Sequence, residues 1–108
     1  VKRYRIRLAE DAEQDLIDIT RYVVTYDSLE KATYVLDQLE LLCLRLAEFP
    51  ERGQVPPELD RIGVSSHREV HFKPYRVIYE VNRQDVLIHC VLKGRRDMQS
   101  LLARRLVR

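Results

Sequence analysis

Residues 67–97, HREVHFKPYRVIYEVNRQDVLIHCVLKGRRD, alternate apolar and polar side chains through three successive runs. Strict alternation puts neighbouring side chains on opposite faces of a pleated strand, so each run is predicted as a strand. Lys73-Pro74 and the stretch Asn82 to Asp85 punctuate the runs as turns, which makes the segment an antiparallel meander. One face is predicted to carry Arg68, Val70, Phe72, Tyr75, Val77, Tyr79, Val81, Val86, Ile88, Cys90 and Leu92. The opposite face then carries His67, Glu69, His71, Lys73, Arg76, Glu80 and His89, and a bulge in any strand would flip part of either set.

The apolar face needs a cover, and the upstream sequence supplies one. Arg3, Arg5 and Arg7 alternate with Tyr4, Ile6 and Leu8, as expected of a half-buried edge strand. From Ala9 the period becomes helical: Ala12, Leu16, Ile19, Val23 and Tyr26 form one stripe, with Glu13, Asp15, Asp18 and Arg21 off it. The pattern resets at Asp27-Ser28, where Asp27 followed by Glu30 resembles a capping box. A second stripe of Ala32, Val35, Leu36, Leu39, Leu42, Cys43 and Leu46 runs on until Pro50 and Gly53. So short a link predicts an antiparallel helical hairpin packed on the sheet. Residues 49–66 form a long connection with one helical turn expected near Pro57–Leu59. Gly94 ends the sheet, and Asp97 is placed to cap a short last helix whose C-terminal end holds Arg104, Arg105 and Arg108.

The expected fold is therefore α+β, in the order β-α-α-β-β-β with a short C-terminal helix. With 108 residues, a single domain over 1–108 is expected. No apolar run approaches the roughly 20 residues of a bilayer span. The stretch VKRYRIRLAED lacks the apolar core of a signal peptide, so a cytoplasmic location is expected. Cys43 and Cys90 lie far apart in apolar segments and read as buried thiols. The three histidines have no flanking cysteine, so a structural zinc site is not expected. Net charge is only +2, yet residues 9–18 are acidic and residues 93–108 strongly basic, which favours an anionic partner at one end.

The segments YRVIYEV, VLKGRRD and MQSLLARRL resemble the RelE/ParE superfamily of type II toxin–antitoxin toxins, and the element order resembles that family over the whole chain. The resemblance implies one of two functions. RelE-like members are metal-independent endoribonucleases that cut messenger RNA on the ribosome, with a base, an acid and cations that stabilise the phosphorane. ParE-like members inhibit DNA gyrase by protein contact, without chemistry of their own. By position, Arg76 and Arg95 or Arg96 stand where RNA-cleaving members have arginines, and His71 or His89 could act as base or acid. Arg68 lies near a family lysine but is phased inward. The final helix, with Met98, Leu101, Leu102 and Leu106, lacks the aromatic residue that RNA-cleaving members often place there.

That departure favours a ParE-like, plasmid-stabilisation toxin, with Arg76, Arg95, Arg96 and Lys73 as anion- or partner-binding residues and neither a catalytic residue nor a cofactor. The endoribonuclease using Arg76, Arg95 or Arg96 with His71 or His89 is the alternative. A relic that retains only antitoxin binding is a third. For Arg76 a salt bridge to Glu69 or Glu80 is the plain structural reading, and for His67, His71 and His89 ordinary strand positions or partner contact. Partners implied are a cognate antitoxin with an acidic, partly disordered segment, forming a hetero-oligomer, and DNA gyrase; the alternative replaces gyrase by the ribosome and mRNA.

Overall fold

The computed structural model describes residues 3–94 and Arg104. Strand β1 (Arg5–Leu8) leads into helices α1 (Glu10–Tyr26) and α2 (Leu29–Arg45). After a short helix α3 (Pro57–Asp60) come β2 (His67–Phe72), β3 (Tyr75–Asn82) and β4 (Asp85–Lys93). The four strands form one sheet in the order β1-β4-β3-β2. The meander is antiparallel as expected, whereas β1 joins its edge parallel to β4, from Arg5 opposite Asp85 to Leu8 opposite Ile88. A parallel neighbour needs a crossover, and the intervening helices provide it. The C-terminal helix expected after Gly94 lies outside the described residues except for Arg104, which is helical. Among the described residues no helix is long and apolar enough to cross a membrane.

The two helices cover one face of the sheet. Ala12, Val35, Leu39, Leu42, Cys43 and Leu46 meet Val70, Tyr75, Val77, Tyr79, Val86, Ile88 and Val91 in the main core. Each fully buried aliphatic side chain there contributes about 1.5–3 kcal/mol. The helical stripes hold except at Tyr26 and Leu36, which are exposed. Tyr26 is the last residue of α1, and its ring lies 4.7 Å from that of Tyr22 instead of on the sheet. Ser28, not Asp27, caps α2, its Oγ accepting from Lys31 N at 3.0 Å. Asp27 is still closing α1, its N–H donating to Val23 O. Asp15, expected on the solvent side of α1, is buried. Beyond the end of β1 the backbone of β4 needs another acceptor, and Asp15 Oδ2 takes the Val91 N–H at 2.8 Å.

The register between β3 and β4 shifts by one residue: Ile78 pairs with Cys90, but Tyr79 pairs with Ile88. His89 is the extra residue. This bulge moves Cys90 and Leu92 off the helix-facing side, where alternation had put them, and brings Val91 into the main core instead. Cys90 and Leu92 join Ile78, Leu59 and Val64 in a second, smaller core on the other side of the sheet. The long connection containing α3 lies over that second core.

Both cysteines are buried thiols, and burial followed by the charge of Glu40 pushes the Cys43 thiol up to about 11. A thiol at about 11 is ionised only to roughly one part in a thousand at pH 8. Native protein is therefore expected to react with a disulfide reagent such as DTNB only as fast as it unfolds, with two thiols released at once in denaturant. A fast stoichiometric reaction of folded protein would contradict this burial.

Candidate functional site

The sheet face away from the α1–α2 hairpin collects His67, Glu69, His71, Arg76, Glu80 and His89, as alternation assigned them, in two groups either side of the second core. Neither group is an open cationic surface.

The first group centres on Arg76 in β3. Its side chain is 8% exposed, and carboxylates from two different elements engage its donors. Nη1 and Nη2 donate to the two oxygens of Glu58, each at 2.9 Å, in a bidentate fork. Nε donates to Glu69 Oε1 at 2.6 Å. Glu69 is itself buried, and its Oε1 also receives Nε2–H of His71 at 3.0 Å. The geometry follows from the fold. His71 stands opposite Arg76 across the β2–β3 ladder, and Glu69 lies two residues along the same face. Glu58 comes from the first turn of α3, where a carboxylate suits a helix start. The Glu58 hydrogen bonds hold the guanidinium above its ordinary value, against the opposing effect of burial, with Glu69 adding to them. Charge in this group sums to a net negative value when His71 is neutral.

The second group sits nearer the β3–β4 turn. Glu80 Oε1 accepts Nε2–H of His89 at 2.9 Å and lies 3.7 Å from Nε2 of His67, the residue directly opposite it in the ladder. The two imidazole rings are 4.8 Å apart. His67 Nδ1 is hydrogen-bonded to Ser66 Oγ at 2.8 Å. Burial first, then the neighbouring His89, lowers the pKa of His67 below its ordinary value, and Glu80 only partly offsets this.

Of the site residues expected from sequence, Arg76 and His71 share the first group through Glu69, and His89 lies in the second. Lys73, expected on the same strand face, instead lies exposed in the β2–β3 turn. Arg95 and Arg96 lie outside the described residues. Arg68 is half-buried on the helix-facing side, as its phasing indicated. Its Nη1 donates to Gly53 O at 2.7 Å and Glu51 O at 3.3 Å, so it fastens the long loop. Glu58 and Asp15 were not singled out from sequence. For Glu58 the available signal was Pro56-Pro57, which starts a helix and presents the following carboxylate at its first turn.

Residues 6–98 match the family described as ParE toxin of type II toxin-antitoxin system, parDE. Toxin ParE3 of Caulobacter vibrioides is 31% identical over 91 residues, covering 84% of this chain and 87% of that protein. Among solved structures, one of a chromosomal ParDE toxin–antitoxin system from P. aeruginosa superposes with a TM-score of 0.71 at 17% identity, covering 85% of this chain and 97% of that one. The RelBE2 toxin–antitoxin complex of Mycobacterium tuberculosis gives 0.64 at 18% identity, covering 86% and 93%. Those two likenesses establish the shared fold, and the sequence matches establish more: this chain belongs to the ParE toxin family of type II toxin–antitoxin systems.

Proposed function

We propose that this protein inhibits DNA gyrase by protein–protein contact and is neutralised by a cognate antitoxin, as the toxin of a cytoplasmic plasmid-stabilisation module. The observation that carries this reading over RNA cleavage is the double engagement of Arg76 by Glu58 and Glu69. Stabilising a phosphorane requires cations aimed at the place where negative charge develops. Here the guanidinium is already neutralised, and a phosphate reaching it would have to displace Glu58 and face Glu69.

The antitoxin surface is supported by the outer side of the hairpin. Ile17, Val24 and Leu36 are exposed and line an apolar groove with Leu16 and Thr20. A disordered antitoxin segment that folds on binding would bury these side chains. The P. aeruginosa and M. tuberculosis structures are of toxin–antitoxin systems, which supports a hetero-oligomer of the same kind here. Lys73, Arg95 and Arg96 remain part of this reading as contacts to an acidic partner.

The endoribonuclease reading keeps one observation in its favour: His71 is partly exposed beside Arg76. One comparison separates the two. Purified protein is added to a gyrase supercoiling assay and, in parallel, to a translating ribosome extract read by primer extension. Loss of supercoiling with intact message is the expected result. Codon-positioned cuts with unaffected supercoiling would overturn it. In that event His71→Ala, a change at a partly exposed position, should slow cutting by about 10²–10⁴-fold if imidazole is the acid or base.

A further inference from the structure

We propose that His67, Glu80 and His89 form a binding site for one divalent cation of the zinc type, linking β2, β3 and β4. Nothing in the proposed toxin function uses these residues. Their ligating atoms all lie within 4.8 Å of one another. Two imidazole nitrogens and a carboxylate oxygen are a donor set that suits zinc and its neighbours among the first-row metals, and suits magnesium or calcium poorly.

The fold builds this cluster instead of leaving it to chance. Glu80 and His67 are direct partners across the β2–β3 ladder, which fixes two donors side by side. His89 is the extra residue of the β4 bulge, and without the bulge the β4 alternation could not put both His89 and Cys90 on this face. A tetrahedral ion with bonds of about 2.0–2.2 Å wants its ligands ~3.3 Å apart. The Glu80 oxygen stands 2.9 Å from His89 Nε2 and 3.7 Å from His67 Nε2, on either side of that value, and with all ligating atoms within 4.8 Å of one another the side chains would rotate to close on the ion.

The supporting hydrogen bond is also present. Ser66 Oγ lies 2.8 Å from His67 Nδ1 and can accept an N–H there, the tautomer that would leave the Nε2 lone pair to a cation. Fixing one ring nitrogen so that the other can ligate is the usual arrangement around metal-bound histidines. Ligation through Nε2 would require the His89 proton to sit on Nδ1, a tautomer shift that leaves the imidazole neutral and opens Nε2 to the cation. The His67 side chain is 10% exposed and that of His89 19%, but that of Glu80 is 34% exposed, which leaves a fourth position to water or to a donor from a bound partner.

The experiment uses the full chain without a polyhistidine tag, stripped with chelator and then titrated with zinc. One ion per chain should bind, and the melting temperature should rise on the order of 10 °C at a hundredfold excess over the dissociation constant. Magnesium should give no shift. Cobalt should give the intense visible bands of a four-coordinate ion. Glu80→Gln and the double change His67→Gln with His89→Gln should abolish binding, while His71→Gln, on the same face, should retain it. The proposal is overturned by a parent chain without stoichiometric zinc or cobalt binding, or by the double variant binding as the parent does.

Discussion

Arg76→Ala is expected to destabilise the protein by about 3–5 kcal/mol, the range for removing one partner of a buried ion pair. That is a large share of the roughly 5–15 kcal/mol by which domains of this size are stable. Deletion leaves Glu58 and Glu69, whose side chains are 15% and 2% exposed, without the guanidinium between them. It also removes the fork that ties α3 to the sheet over the second core. Urea denaturation measures the loss directly. A further readout identifies its origin. Adding Glu58→Gln and Glu69→Gln to Arg76→Met should recover much of the loss, since a neutral group can be buried at lower cost. A stable Arg76→Ala protein would mean that the arginine is not held as described and is available to anions. The result therefore bears on function as well as on folding.

Gly53→Ala should cost about 2–4 kcal/mol, combining overpacking with disturbed hydrogen bonds. A Cβ at this position would stand 2.6 Å from Glu69 O and 2.6 Å from Tyr79 Oη. Neither can yield easily. Glu69 O belongs to β2 and accepts Gln54 N–H, while Tyr79 is fully buried. The tyrosine hydroxyl accepts the Gly53 N–H at 3.0 Å and donates to Pro50 O at 2.7 Å, so it is the post on which the long loop is hung. Tyr79→Phe alone should cost about 1–3 kcal/mol by stranding those two backbone groups. In the Tyr79→Phe background the alanine should cost less, because one of its two clashes is gone. Strict additivity in that cycle would show that the loop docks differently.

These two sites mark where reading the sequence stopped. Alternation placed His67, Glu69, His71, Arg76, Glu80 and His89 on one face, and there they stand. It also presented that face as open, because periodicity describes a strand and says nothing of what lies over it. Glu58 is nine or more positions from any strand residue, in a loop whose path no local pattern fixes. The bulge at His89 was equally hidden: Ile88, His89 and Cys90 read as ordinary alternation, and only the ladder to β3 reveals the extra residue. Gly53 stood out as a helix terminator, whereas its consequence lies in the close approach of the Tyr79 ring.

The sequence by itself determined the element order, the apolar stripes of both helices, the meander and the family, since each rests on local period or on contiguous motifs. Tertiary structure alone decided what the polar face amounts to. Glu58 arriving from α3 turns Arg76 from a free cation into the centre of a buried ion network. The one-residue shift in β4 sets His89 beside Glu80 and His67. Charge and coordination depend on which groups meet, and those meetings join positions up to 22 residues apart in a chain whose local pattern records only neighbours.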